Sequence, residues 1–271
     1  MIFKWIALGS LVLAAAAAFG GPLWLAPVWF AAAFAGLTVL ALLVIIVAFL
    51  LVDERKPREK DSPFYRALTE GLVQLLIPLA RVRLHTQGLE KTPGEGRFLL
   101  VCNHLGMPDP AVLVHCFKDS QLAFISKREN DNMFVVGKLM HTLRCQLINR
   151  ENDREALKTI LSCIRLIKDD ENSIAVFPEG YTSLDGKLHH FRSGVFKIAQ
   201  KTGVPILVCT LQNTDKILHN FLRLRTTDVH LHLVQVIQPE EYRGKSTIEI
   251  ANEVYEMMIA DLGEEYRSPE N

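Results

Sequence analysis

The first 52 residues of the chain are almost continuously apolar, whereas apolar and polar positions alternate in the rest. Two apolar runs lie in this leader, at residues 5–19 and 28–52, and a segment rich in glycine and proline separates them. A helix as long as the second run spans roughly 37 Å, which exceeds the hydrocarbon core of about 30 Å in a typical bilayer. The pattern predicts a hydrophobic helical hairpin, which we interpret as a membrane anchor over residues 1–60.

Charges at the edges of the leader predict which side of the membrane the rest of the chain occupies. Lys4 is the one charged residue before residue 53, and residues 53–60 include four basic side chains. Lys and Arg beside a span favour the cytoplasmic side. We therefore expect a protein of the cell (inner) membrane, in contact with its lipids, with residues 61–271 on the cytoplasmic side. A cleaved signal peptide or a shallow hairpin in one leaflet would predict the same side.

The pattern of residues 61–271 predicts an α/β domain. Short apolar runs, typical of buried strands, alternate with longer segments whose apolar residues recur at helical spacing. Such alternation indicates a mixed, largely parallel sheet flanked by helices. The predicted strands are residues 98–102, 121–126, 145–148, 173–177, 204–211 and 229–237, and the predicted helices are residues 109–117, 134–143, 153–168, 191–201 and 247–262.

An amphipathic segment at residues 63–84 precedes this alternation. Its apolar residues recur at roughly helical spacing, and Pro78 is expected to bend or end the helix. The segment could pack on the domain or lie on the membrane surface, and packing is the expectation we adopt. The apolar row consists of Phe64, Leu68, Leu72, Leu75, Leu76 and Leu79.

Composition excludes several classes of function. The chain has 30 basic and 30 acidic side chains, so it lacks the basic excess of a nucleic-acid-binding protein and the charge imbalance of a disordered one. Five irregularly spaced cysteines are interpreted as buried free thiols of a reducing compartment. Four histidines have no carboxylate or thiol at ligand spacing, so no metal site is expected. The cysteines are Cys102, Cys116, Cys145, Cys163 and Cys209, and the histidines are His189, His190, His230 and His232.

Candidate chemistry begins directly after the predicted strand at residues 98–102. His104 and Asp109 are joined by a loop that contains glycine and proline. The carboxylate can accept a hydrogen bond from one imidazole nitrogen and leave the other free as a base. No serine or cysteine is clearly placed as a nucleophile, so the base would act on a hydroxyl of the substrate. A His–Asp pair that only braces a loop is the alternative.

A second segment, Phe-Pro-Glu-Gly at residues 177–180, also follows a predicted strand. Ligands of α/β sheets collect at the carboxyl ends of strands, so both segments lie where a site is expected. By itself the second segment is equally typical of a turn with a solvated glutamate.

Taken together, four blocks in this order resemble the glycerolipid acyltransferase family, which includes the 1-acylglycerol-3-phosphate acyltransferases. The resemblance covers about residues 80–240. The blocks are Asn-His-x4-Asp at residues 103–109, Ile-Asn-Arg at residues 148–150, Phe-Pro-Glu-Gly at residues 177–180 and Val-Pro-Ile at residues 204–206.

The resemblance implies that an acyl group passes from acyl-CoA or acyl carrier protein to lysophosphatidic acid, which gives phosphatidic acid. No cofactor and no nucleic acid take part. His104 would be the base and Asp109 would orient it. Side chains and backbone assigned to substrate binding are those of Asn103, Arg150, Glu179, Gly180 and Arg192.

Departures from the family pattern concern the acceptor. The third block commonly continues Thr-Arg-Ser, and here residues 181–183 are Tyr-Thr-Ser. Arg192, Lys187 or His189 could replace the missing cation. Another lysolipid, a lyso-ornithine lipid or glycerol-3-phosphate therefore stays open as the acceptor. A hydrolase that uses the same His–Asp pair, and a lipid-binding protein with an inactive site, are the alternatives from other classes.

Overall fold

The computed structural model describes residues 2–19, 22–52, 62–149 and 152–269. The chain divides into two compact units, Met1–Pro57 and Arg58–Asn271, and each is described by itself. The basic segment expected beside the anchor, residues 53–60, lies outside the described residues.

Two helices form the first unit, α1 (Ile2–Phe19) and α2 (Ala26–Leu50). They contact each other at small residues, since a Cβ added to Gly9 would lie 3.3 Å from Leu37 Cδ1, and small residues permit close helix approach. Residues Ala26–Ala48 are long and apolar enough to cross a membrane, with a mean hydropathy of 2.8, and Lys4–Phe19 is a shorter apolar stretch. The predicted helical hairpin is confirmed.

Seven strands of the second unit form a single mixed sheet. The neighbouring strands β6, β2, β5, β3 and β4 run parallel, β7 is antiparallel to β6, and β1 is parallel to β7 at the far edge. The largely parallel sheet predicted from the sequence is confirmed. In chain order the strands are β1 (Val82–Gln87), β2 (Leu99–Cys102), β3 (Leu122–Lys127), β4 (Gln146–Ile148), β5 (Ser173–Val176), β6 (Ile206–Gln212) and β7 (Thr227–Ile237).

Helices cover both faces of the sheet and enclose two apolar clusters. Residues of α6, α7 and α10 pack on one face, and residues of α3, α4 and α8 pack on the other. The helices of this unit are α3 (Pro63–Leu79), α4 (Asp109–Cys116), α5 (Phe134–Thr142), α6 (Asp153–Lys168), α7 (Lys197–Thr202), α8 (Lys216–Leu222), α9 (Pro239–Tyr242) and α10 (Thr247–Leu262).

The amphipathic segment differs from its prediction in two ways. The helix ends at Leu79 and the chain continues as β1, so the prediction of one helical segment to residue 84 is wrong. α3 does pack on the domain, but its buried face is a row that begins at Arg66 and ends at Ile77. Arg66 donates to the carbonyl of Leu122 at 3.2 Å. The leucine row stays largely outside the core, and Phe64 and Leu79 are more than 60% exposed.

Two further elements depart from the sequence-based expectation. The helix predicted over residues 191–201 begins as a 3-10 turn at Ser193–Phe196 and becomes α7, which ends at Gly203 as predicted. α8 was not predicted, because Ile217 is its one buried apolar residue and the pattern therefore has no core-facing row.

Candidate active site

The two candidate segments meet because β2 and β5 are parallel neighbours, with Leu99 opposite Ile174. Their carboxyl ends open on the same edge of the sheet, and the loops that follow them extend side by side. Ser183 of the second loop donates its backbone N–H to the carbonyl of His104 at 2.8 Å. The topology therefore brings together residues that lie 75 positions apart in the sequence.

His104 and Asp109 form the expected pair, with His104 Nδ1 2.6 Å from Asp109 Oδ2. Asp109 is the first residue of α4 and is fully buried. The same oxygen accepts the backbone N–H groups of Leu105 at 2.7 Å and Gly106 at 2.9 Å. A helix N-terminus favours a carboxylate. Three donors on one oxygen fix the imidazole with Nδ1 toward Asp109, which leaves Nε2 as the nitrogen that can take a proton.

Phe177 fixes the plane of the imidazole. Its ring stacks on that of His104, with 4.2 Å between the centroids and 17° between the planes. The His104 side chain is 20% exposed, so one part of the ring reaches open space while the rest is packed. A base held in one orientation and reachable from one side meets the geometric requirement for general-base catalysis.

Glu179 is the carboxylate that joins the two loops. It is 1% exposed, and its two oxygens accept the backbone N–H groups of His104 at 2.9 Å and His189 at 3.0 Å. Burial raises the pKa of Glu179 from 4.5 to about 7, against the opposing effect of these two hydrogen bonds. In this arrangement the carboxylate contacts the backbone beneath the imidazole, and no cationic side chain.

Asn103 also makes backbone contacts within the fold. Its amide donates to the carbonyl of Leu211 at 3.0 Å and accepts the N–H of the same residue at 2.7 Å. The side chain is 4% exposed. The pairing with β6 holds the chain at the point where β2 ends, one residue before His104.

The remaining predicted site residues are placed unequally. Gly180 lies beside the imidazole in a common cavity wall and has a φ of +84°, a conformation that favours glycine. Arg192 is exposed, and its backbone N–H donates to the carbonyl of Pro178 at 2.8 Å. Arg150 lies outside the described residues.

One of the three substitutes for the missing arginine is already paired. His189 Nε2 lies 2.9 Å from Asp185 Oδ1, and the pKa of Asp185 is lowered to about 2, mainly by the backbone N–H of Lys187 and by His189. Arg192 and the half-buried Lys187 are therefore the more available cations on the second loop.

An apolar cavity of about 460 Å³ opens beside His104. Its volume lies in the range of roughly 300–1,000 Å³ that is typical of small-molecule pockets. Lys127, at the carboxyl end of β3, is a cationic side chain on its wall and lies 3.3 Å from Glu129. Neither the cavity nor Lys127 could be found from sequence, because the wall combines helices and strands distant along the chain. The wall includes Val73, Ala111, Val114, Phe124, Leu139 and Met140.

The cysteines are free thiols in the structure. Burial raises the pKa of Cys145 to about 11 and that of Cys102 well above its usual value. A thiol with a raised pKa is a poor nucleophile at neutral pH. Among the described residues, no three His, Cys, Asp or Glu side chains are grouped so that they could hold a metal ion.

Comparison with known proteins places this site in a family. The family model described as Acyltransferase matches residues 83–212, a range that contains the imidazole, both loops and the carboxylate between them. A 1-acyl-sn-glycerol-3-phosphate acyltransferase of Borreliella burgdorferi is 24% identical over 68% of this chain and 74% of its own length. The chloroplastic 1-acyl-sn-glycerol-3-phosphate acyltransferase BAT2 of Brassica napus is 31% identical over 68% of this chain. That alignment covers 52% of the plant protein, about half its length.

A solved structure shares the fold. The crystal structure of the 1-acyl-sn-glycerophosphate (LPA) acyltransferase PlsC from Thermotoga maritima matches with a TM-score of 0.59 and 20% identity. The match covers 96% of this chain and 97% of the other.

Glu179→Gln should lower the melting temperature of the detergent-solubilised protein, and most strongly at acidic pH. Because the pKa of the folded state is about 7 and the ordinary value is 4.5, wild type gains stability as the pH falls through this range, by about 3 kcal/mol at most. Glutamine cannot take up the proton, and its N–H₂ group faces a backbone donor. The difference in melting temperature between wild type and variant should widen from about pH 8 to about pH 5.

Glu90→Gln, which removes an exposed carboxylate, is the matched control. A difference for Glu179→Gln that is constant across this pH range would mean that Glu179 is ionised throughout.

Proposed function

Because the chain belongs to the glycerolipid acyltransferase family, we propose that it transfers a fatty acyl group from a thioester to the free hydroxyl of lysophosphatidic acid. The donor is acyl-CoA or acyl carrier protein, and the product is phosphatidic acid. The observation that carries the proposal is the oriented pair of His104 and Asp109 at the wall of the apolar cavity.

The proposed reaction needs one base and no covalent acyl-enzyme. His104 Nε2 removes the proton from the acceptor hydroxyl as its oxygen attacks the thioester carbonyl carbon. The tetrahedral intermediate then collapses, the carbon–sulfur bond breaks, and the imidazolium returns the proton to the departing thiolate. Asp109 stabilises the imidazolium, since its carboxylate lies 2.6 Å from Nδ1. The raised thiol pKa values support a direct transfer, because they disfavour cysteine as the nucleophile.

Positioning of the base is the role we assign to the carboxylate and the amide beneath it. Glu179 holds the backbone N–H of His104, and Asn103 holds the end of β2 against β6. Both side chains are buried. Their contribution to substrate binding is then indirect, through the shape of the loop.

Substrate groups are assigned by chemical complementarity. The apolar cavity accepts the fatty acyl chain beside the imidazole. The acceptor phosphate requires cations, and a guanidinium matches a phosphate in charge and geometry. Family similarity assigns Arg150 to this phosphate, and the exposed Arg192 on the second loop is the further candidate. No cofactor is needed for this chemistry.

Membrane attachment completes the proposal. The apolar helices α1 and α2 insert in the cell membrane, and the catalytic domain remains in the cytoplasm, where acyl thioesters are made. The four basic residues at residues 53–60 support this side.

His104→Ala should reduce acyl transfer by about 10²–10⁴-fold, since this is the usual contribution of general-base catalysis. Asp109→Asn should also be severe, because the imidazole loses its orienting carboxylate. The assay uses purified protein, radiolabelled acyl-CoA and lysophosphatidic acid, and it measures labelled phosphatidic acid and free fatty acid separately.

The control for this assay is His85→Ala, which removes an exposed imidazole on β1. More than about a tenth of wild-type transfer in His104→Ala would exclude the role of base. Release of free fatty acid by wild type without acylated lipid would identify a hydrolase instead.

Arg150→Ala should raise the KM for lysophosphatidic acid by about 10- to 150-fold, which corresponds to the loss of charge-assisted hydrogen bonds worth about 1.5–3 kcal/mol. The KM for acyl-CoA should change far less. Arg150→Lys should restore acceptor binding only in part, because an ammonium has no bidentate geometry. Arg154→Ala, at an exposed position on α6, is the matched control. A lowered melting temperature with an unchanged acceptor KM would assign Arg150 a structural role.

Cysteine labelling checks the membrane side. Lys60→Cys, in a background whose partly exposed Cys116 and Cys145 are replaced by alanine, should be protected from an impermeant thiol reagent in intact cells and react after lysis. Reaction in intact cells would place the domain outside, away from acyl-CoA.

A further inference from the structure

The segment that connects β6 to β7 carries the largest unexplained surface feature of the domain. From the geometry we infer that residues 216–226 form a second membrane contact, which binds an anionic bilayer and holds the catalytic edge of the sheet against the lipid. We name this segment the α8 surface. The inference rests on the proposed function in one respect, since it explains how a lipid acceptor reaches His104.

The α8 surface exposes apolar side chains that the fold does not use. Leu218 is 62% exposed, Leu222 74% and Leu224 69%. Every residue from 221 to 226 is exposed. A monomeric domain rarely exposes adjacent large apolar residues without an interaction to account for them.

The backbone beneath these side chains is held in place. Ile217 anchors α8 in the core, and the carbonyl of Leu224 accepts from Arg81 at 2.6 Å. The N–H of Arg225 donates to the carbonyl of Asn220 at 2.8 Å. The apolar side chains are therefore presented on an ordered turn.

Leu224 is the most informative residue of this turn. Its φ is +56°, a conformation that glycine or asparagine adopts at lower cost than a branched side chain. The leucine gains no burial within the domain in return, because it is 69% exposed. Burial against something outside the domain would account for an apolar side chain at this position.

Charge identifies that outside surface as anionic. Between Lys216 and Thr226 the chain has three basic residues, Lys216, Arg223 and Arg225, and no carboxylate. Two more exposed arginines, Arg81 and Arg83, lie on the neighbouring end of β1. Apolar side chains interspersed with cations are typical of segments that lie at the interface of an anionic bilayer.

The position of the α8 surface favours a lipid partner over a protein partner. It lies at the carboxyl end of β6, the edge at which β2 delivers His104. The His104 loop contacts its base, since a Cβ on Gly106 would lie 3.5 Å from Asp215 Cα. Met107 of that loop is 67% exposed and also lines the cavity. A bilayer on this edge would meet the cavity mouth directly, and the proposed acceptor resides in a bilayer.

The test uses the full-length protein in vesicles of phosphatidylcholine with or without phosphatidylglycerol. An environment-sensitive fluorophore is attached at Leu222→Cys, with the partly exposed Cys116 and Cys145 replaced by alanine. The matched control is Glu240→Cys, also exposed and located after β7 at the opposite edge of the sheet.

We expect the label at position 222, and not at position 240, to shift to shorter wavelength in anionic vesicles and to be quenched by spin-labelled lipids. Adding Arg223→Glu and Arg225→Glu should reduce this quenching at least about twofold and weaken its salt dependence. Equal access of an aqueous quencher to both labels would overturn the inference. A shift that follows protein concentration and needs no lipid would assign the surface to a second copy of the chain and would also overturn it.

An activity measurement separates this inference from the proposed function. Leu222→Asp with Leu224→Asp should lower turnover of a long-chain acceptor in vesicles at least about tenfold, and should leave a short-chain, water-soluble acceptor within about twofold. Equal turnover of the long-chain acceptor by wild type and variant would contradict the inference. Lipid quenching at position 222 in a His104→Ala protein would show docking even if the reaction proves to be a different one.

Discussion

The site depends on a buried carboxylate between two loops. Parallel strands β2 and β5 bring the loops to one edge, but strand pairing ends before the loops begin. Beyond that point Glu179 connects them, because it accepts one backbone N–H from each. The raised pKa of about 7 reflects how completely water is excluded from this contact. The imidazole of His104 therefore stands on a base set by a polar contact inside an apolar surrounding, where such contacts are stronger than in water.

The general architecture could be read from the sequence because each layer has its own period. Parallel strands buried on both faces appear as short apolar runs, and the helices between them carry an apolar row with helical spacing. β1 and α8 escaped this reading for one physical reason. Both lie at the margin of the core, so few of their apolar residues are buried and the pattern carries little information about them. The same holds for α3, whose buried face begins with an arginine.

Within the site, the sequence identified which residues come together but not what each one contacts. His104 and Asp109 are close in sequence, so their pairing follows from a short loop. The partners of Asn103 and Glu179 are backbone groups of distant segments, and no motif records a backbone partner. Likewise, the ring of Phe177 lies on His104 only because two strands are adjacent. Contacts of this kind require the three-dimensional topology.

The reversal of β7 has a consequence for how such enzymes can diversify. A parallel continuation of the sheet would oblige the chain to cross to the opposite edge before the next strand. Because β7 runs antiparallel to β6, the connection between them stays on the edge that carries His104. Insertions in a surface connection are tolerated, since lengthening a loop costs little free energy. Evolution can therefore rebuild the surface next to the reaction centre without altering a strand of the sheet.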